Sequence, residues 1–70
     1  MDILDIFDVV VLTEEISSHK LRKGELGTIV EKLDNDAFLV EFADTKGVTY
    51  AMIPLKSSSL MKVYYEPVLA

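Results

Sequence analysis

The stretch Lys23-Gly24-Glu25-Leu26-Gly27-Thr28-Ile29-Val30-Glu31 constrains the fold more than any other part of the chain. Two glycines stand three positions apart, and a β-branched run follows the second directly. Glycine tolerates φ > 0 because it has no Cβ to clash. A backbone with this spacing bends sharply and then enters a strand. With a long loop before it and an acidic turn after it, the stretch marks a small, strongly bent β-barrel.

The rest of the sequence supplies the other strands. Asp8 opens Val9-Val10-Val11-Leu12, a β-branched run that reads as a buried strand. Residues 16–23 form a long loop with turn character at Ser17-Ser18-His19, and Leu21 is expected to plug back into the core. Gly24 reads as a turn residue. Residues 27–33 are the second strand. Asp34-Asn35-Asp36 is a tight turn in which Asn35 tolerates a left-handed backbone. Residues 37–43 form the third strand, with Phe38, Val40 and Phe42 on one face by alternation. Asp44-Thr45-Lys46-Gly47 supports a hairpin. Residues 48–53 form the fourth strand, with Val48, Tyr50 and Met52 sharing a face and Pro54 expected to stop it. Residues 56–60 have room for one 3₁₀ turn, and 61–65 for a short last strand. This is the element order of a five-stranded SH3-like barrel, all-β, with closure expected to remove the free edges. The expected organisation is a single domain: an apolar extension over 1–7, the barrel over 8–65 and a tail over 66–70. In the extension, Ile3, Ile6 and Phe7 fit one face of a short helical turn.

The barrel order acquires a family when particular runs are set beside it. Phe7-Asp8-Val9-Val10-Val11-Leu12-Thr13-Glu14, then Leu21 to Glu31, resembles the small bacterial proteins grouped as domain of unknown function 4926. The same family has an acidic turn followed by a strand like Phe38-Leu39-Val40-Glu41-Phe42. An Asp-x-x-Gly hairpin follows, here Asp44 to Gly47, and then a strand ending like Ala51-Met52-Ile53-Pro54-Leu55. The likeness runs from about Phe7 to Val63 and implies an SH3-like barrel and no chemistry. The Gly-x-x-Gly-Thr-Ile-Val element is also similar to glycine-containing strands in KOW segments and in a small ferredoxin-docking subunit of photosynthetic NDH complexes. Where many relatives place proline and glycine, this chain has Ser17-Ser18-His19-Lys20.

Composition narrows the functions. A chain of 70 residues makes one domain, and one of this size buries only about 60% of its unfolded surface. It has no cysteine, so a disulfide-stapled secreted domain is not expected and a cytoplasmic location is. The start Met1-Asp2-Ile3-Leu4-Asp5 lacks the features of a signal peptide, and no apolar run reaches the roughly 20 residues that cross a bilayer. No membrane association is therefore expected. Seven basic residues against twelve acidic ones give a net charge of −5, which argues against a nucleic-acid binder and for a basic partner.

Catalytic and cofactor signals are weak. The single histidine, His19, stands beside Ser17 and Ser18 in a loop, where no triad is preorganised. Asp34-Asn35-Asp36 starts like a calcium loop, but Leu39 and Thr45 stand where glycine and glutamate are required. Glu31 and Glu41 lie on adjacent strands and belong to a solvated face. Gly24-x-x-Gly27 opens a strand, not a helix, so it cradles no phosphate. No metal, cofactor or catalytic residue is assigned. The glycines Gly24, Gly27 and Gly47, with Asn35, read as structural turn residues. Phe7, Tyr50, Tyr64 and Tyr65 are the candidate protein-binding residues, because tyrosine offers a rigid face with a polar tip.

The expected function is a non-catalytic protein-interaction module, acting as an accessory subunit or as an antitoxin- or immunity-like binder. Self-association is open to it through the apolar extension. One rival is a KOW-like nucleic-acid barrel, which requires Lys20, Arg22, Lys23, Lys32 and Lys46 to converge. Another is an accessory subunit that docks an electron-transfer protein.

Overall fold

The computed structural model describes residues 3–64. Five antiparallel strands form one sheet: β1 (Val9–Leu12), β2 (Leu26–Asp34), β3 (Ala37–Ala43), β4 (Thr49–Lys56) and β5 (Leu60–Lys62). Short 3₁₀ turns occupy Ser17–His19 and Ser57–Ser59. The spatial order is β4-β3-β2-β1-β5, the meander of an SH3-like barrel in which the last strand returns to pair with the first.

Alternation dictates the core. Phe38, Val40 and Phe42 point inward from β3, and Val10 and Leu12 from β1, all 3% exposed or less. Ile29, Ile53, Leu55 and Leu60 complete the cluster with Leu21, which drops in from the β1–β2 loop. An isolated bridge between Ile16 and Leu21 holds that residue over the barrel end.

Glycine takes its expected part at the two turns: Gly24 has φ +95° and Gly47 has φ +82°. The β3–β4 hairpin is tied by Asp44, whose Oδ1 accepts the backbone N–H of Lys46 (2.8 Å) and of Val48 (3.0 Å). Gly27 is different. Its φ is not left-handed, and it is glycine because β3 crosses so closely. A Cβ there would lie 2.6 Å from Val40 Cγ1. Asn35 sits in the β2–β3 turn without a left-handed φ; among the described non-glycine residues that conformation falls at Phe7 and Lys20.

Four expectations are corrected. Pro54 does not end the fourth strand: it lies inside β4, opposite Leu39. An edge strand tolerates proline because its outward N–H has no ladder to serve. The last strand ends at Lys62 instead of residue 65, and Tyr65 and the tail lie outside the described residues. Among its described residues, 3–7, the extension makes a turn at Ile6-Phe7 and no helix; Leu4, 8% exposed, joins the core, whereas Ile3, Ile6 and Phe7 face outward. The sheet also keeps free edges, because β4 and β5 stand at opposite ends of the strand order.

Two ties outside the ladders hold the ends of the barrel. Ser57 N–H donates to the Asp36 carbonyl at 2.7 Å, joining the second 3₁₀ turn to the β2–β3 hairpin. Buried Ser59 donates its hydroxyl to Glu14 Oε2 at 2.6 Å, joining that turn to the β1–β2 loop. No helix among the described residues is long and apolar enough to cross a membrane.

Candidate functional site

The turn before β1 presents the first candidate. Asp8 N–H donates to the Asp5 carbonyl at 3.1 Å, closing a four-residue turn over Ile6 and Phe7. Asp8 Oδ2 accepts the Asp5 N–H at 2.9 Å, and Asp5 Oδ1 accepts the Ile6 N–H at 2.7 Å. Phe7 is third in this turn, with φ +71°. That position is normally given to glycine or asparagine, which meet no Cβ clash or tolerate it. The turn is pinned to β2 from both sides: Phe7 N–H donates to the Ile29 carbonyl at 2.7 Å, and Ile29 N–H donates to the Asp8 carbonyl at 2.9 Å. The Phe7 side chain is nevertheless 77% exposed.

Tyr64 belongs to the same end of the sheet. Lys62 Nζ lies 3.4 Å from Asp8 Oδ2 and 5.3 Å from the Tyr64 ring centroid. Val63 N–H donates to the Val9 carbonyl at 2.8 Å, so the chain after β5 runs alongside the chain before β1. Phe7 is thus the chain neighbour of one member of the Asp8–Lys62 pair, and Tyr64 stands against the other. Tyr65, the fourth candidate, lies outside the described residues.

Tyr50 stands apart from them. A register shift between Phe42 and Ala43 leaves Tyr50 without a partner on β3. Its hydroxyl donates to Glu25 Oε1 at 2.6 Å. That bond, followed by the Arg22 backbone N–H on the other oxygen, holds the Glu25 carboxyl below its ordinary 4.5. The same bond, with some loss of hydration and the nearby charges of Glu25 and Asp44, pushes the Tyr50 phenol up to about 12.

Between these two points lies a feature that sequence reasoning missed. Val9, Leu26, Gly27, Thr28, Glu41 and Ala43 line a shallow groove of about 150 Å³ on the outer face of β1, β2 and β3. Val9 is paired with Thr28, and Thr28 with Glu41, so the three side chains form one transverse row. Leu26 stands over the next row beside Val11 and Met61. Leu26 is 53% and Met61 56% exposed. The signal was available: outward positions of a half-buried strand should be polar, and Val9, Val11 and Leu26 are not.

Charge around the groove is acidic. Glu41 Oε2 accepts the Thr49 hydroxyl at 3.0 Å, and Glu25 and Asp44 accept hydroxyl or backbone donors. Among the described residues the one ion pair within 4.0 Å is Lys62–Asp8. Glu31 faces Leu39 across the ladder while Glu41 faces Thr28, so these two carboxylates are not cross-strand partners.

The remaining residues singled out from sequence are scattered. His19 is exposed, with Nδ1 3.0 Å from Ser18 Oγ. Asp34 Oδ1 accepts the Asn35 N–H at 2.7 Å, a turn-forming role. Among the described residues no group of three His, Cys, Asp or Glu side chains gathers as a metal site would need. Lys20, Arg22 and Lys23 lie in the β1–β2 loop and Lys46 in the β3–β4 hairpin, while Lys32 lies opposite Phe38 near the far end of β2.

Known proteins bear on the family alone. No curated protein and no solved structure matches the chain. A family model described as Domain of unknown function (DUF4926) matches residues 6–62, the span that holds all five strands. This small acidic barrel therefore belongs to the DUF4926 family.

Proposed function

We propose that the chain is a non-catalytic protein-interaction module that works in the cytoplasm on a basic partner, as an accessory subunit or an antitoxin- or immunity-like binder. The observation that carries this reading is the outer face of β1 and β2. Val9, Val11, Leu26 and Met61 form an apolar surface where solvent-facing positions are ordinarily polar, and Glu25, Glu41 and Asp44 surround it. The interior supports the same reading from the other side. Phe42, Leu12, Leu21, Ile29, Val10 and Val40 fill it almost without exposure, so the apolar surface left for a ligand is external. An excess of carboxylates steers a cationic partner and raises the encounter rate at low salt.

The test is affinity capture with the immobilised full chain from an extract of its own source cell, at low and high salt. One stoichiometric protein, basic in composition and released by salt, supports the module. Nucleic acid recovered in place of protein, with saturable and steeply salt-dependent binding, overturns it in favour of the KOW-like reading.

A further inference from the structure

Phe7 occupies a backbone conformation that a bulky side chain adopts at a cost, and the side chain gains almost no burial in return. Core residues repay strain with packing; Phe7, 77% exposed, does not. Nor is the ring needed to hold the turn. Every bond that pins it, from Asp8 N–H, Phe7 N–H, Asp5 N–H and Ile29 N–H, uses backbone groups or the aspartate side chains. Glycine would form the same turn with less strain.

Resting on the interaction-module reading above, we infer that Phe7 is the anchor of the interface. The left-handed turn holds its ring out from the sheet, one residue before Asp8 and two before the groove residue Val9, for insertion into an apolar pocket of the protein partner. The chemistry of that pocket follows from what surrounds the ring. Asp5, two residues before it in the same turn, has no cationic partner among the described residues. The pocket is therefore rimmed by lysine or arginine. Asp8 is already matched by Lys62, whose ammonium also faces Tyr64, so that ion pair stiffens the platform behind the ring. An exposed aromatic fixed on a rigid turn loses little conformational freedom on binding, which is the property of interface hot spots.

The experiment compares the full chain with Phe7→Gly and Phe7→Asn in two measurements. Thermal unfolding reads the fold, and quantitative capture from the source-cell extract reads the interface. The expected result is a Tm equal to wild type or higher by about 4 °C, given the usual shift for a domain this small, together with at least a tenfold loss of the captured protein. Asp5→Asn is expected to weaken capture several-fold at low salt and to have no effect at high salt. A Tm lowered in both Phe7 variants makes Phe7 a structural residue and overturns the inference. Undiminished capture by folded Phe7 variants also overturns it, while the interaction-module reading stands. A wild-type chain that captures no protein overturns both.

Discussion

Replacing Gly27 by alanine tests the closest approach in the barrel. The new Cβ would stand 2.6 Å from Val40 Cγ1, 2.9 Å from Phe42 Cε1 and 3.1 Å from the Glu41 carbonyl oxygen. Carbon atoms in contact sit about 3.5–4.0 Å apart, so the first overlap is about 1 Å. Neither neighbour can yield easily. Val40 and Phe42 are both 0% exposed and closely surrounded, and the Glu41 carbonyl is backbone. Relief requires β3 to move away from β2, which strains the Thr28–Glu41 pairing beside the substitution. Overpacking of this kind costs about 1–3 kcal/mol. Removing a glycine restricts the unfolded chain and returns about 0.4–1 kcal/mol, since φ at this position suits any residue. The net expectation is a loss of about 1–2 kcal/mol. For a domain of this size that lowers Tm by roughly 4–16 °C. Urea unfolding followed by circular dichroism measures it, with an unchanged slope showing that the same surface is exposed. Adding Val40→Ala removes the nearest carbon, so the double variant should lose less than the sum of the single ones. A Gly27→Ala chain as stable as wild type would refute the close crossing and the sharp sheet curvature that produces it.

Five further outcomes follow from the structure. Leu4→Ala should cost about 2–4 kcal/mol in chemical denaturation, because Leu4 joins the core; Ile3→Ala, 83% exposed, should cost under about 0.5 kcal/mol. Tyr50→Phe should destabilise by no more than about 1 kcal/mol, since its bond to Glu25 is open to solvent. Glu25 is held below 4.5 in the fold, so the stability it contributes is complete above that pH and disappears as pH falls through the lowered value; Tyr50→Phe should shrink this acid-side loss in urea titrations at successive pH. Tyr50 is raised from 10.0 to about 12, so its contribution is complete below pH 10 and disappears as pH rises through about 12; Glu25→Gln should bring its phenolate absorbance transition back toward 10. Pro54→Thr restores a donor to the free edge of β4 and should increase concentration-dependent light scattering without lowering Tm by more than a few degrees.

The strands were readable because their side chains obey a period of two and their ends carry turn chemistry. Val9–Leu12 and Ala37–Ala43 came out of the sequence with the bounds that the fold gives them. Leu21 was legible as a lone large apolar residue in a polar loop. Pro54 was misread because its effect depends on which strand is an edge, and that is a property of the whole sheet. Leu4 was missed because a helical face over Ile3, Ile6 and Phe7 offered a neater local pattern than the turn that forms. The candidate site was half legible. Aromatic residues at surface positions drew attention to Phe7 and Tyr64, but the Asp8–Lys62 pair beside them depends on the pairing of β1 with β5. The bulge that isolates Tyr50 and the groove beside Gly27 come from register and curvature, neither of which a single sequence displays.

The pairing of Leu12 with Leu60 sets the tempo at which this molecule can mature. β1 is an interior strand whose second neighbour is the one most remote along the polypeptide. The hairpin-linked strands β2, β3 and β4 can assemble through near neighbours, yet one flank of β1 stays bare until residues 60–62 dock beside it. Such distant closure belongs to topologies that complete in milliseconds to seconds, not microseconds. During that interval the unpaired flank of β1, three valines and a leucine, is open to pairing with another chain, and a chaperone guarding the molecule would be expected to engage there.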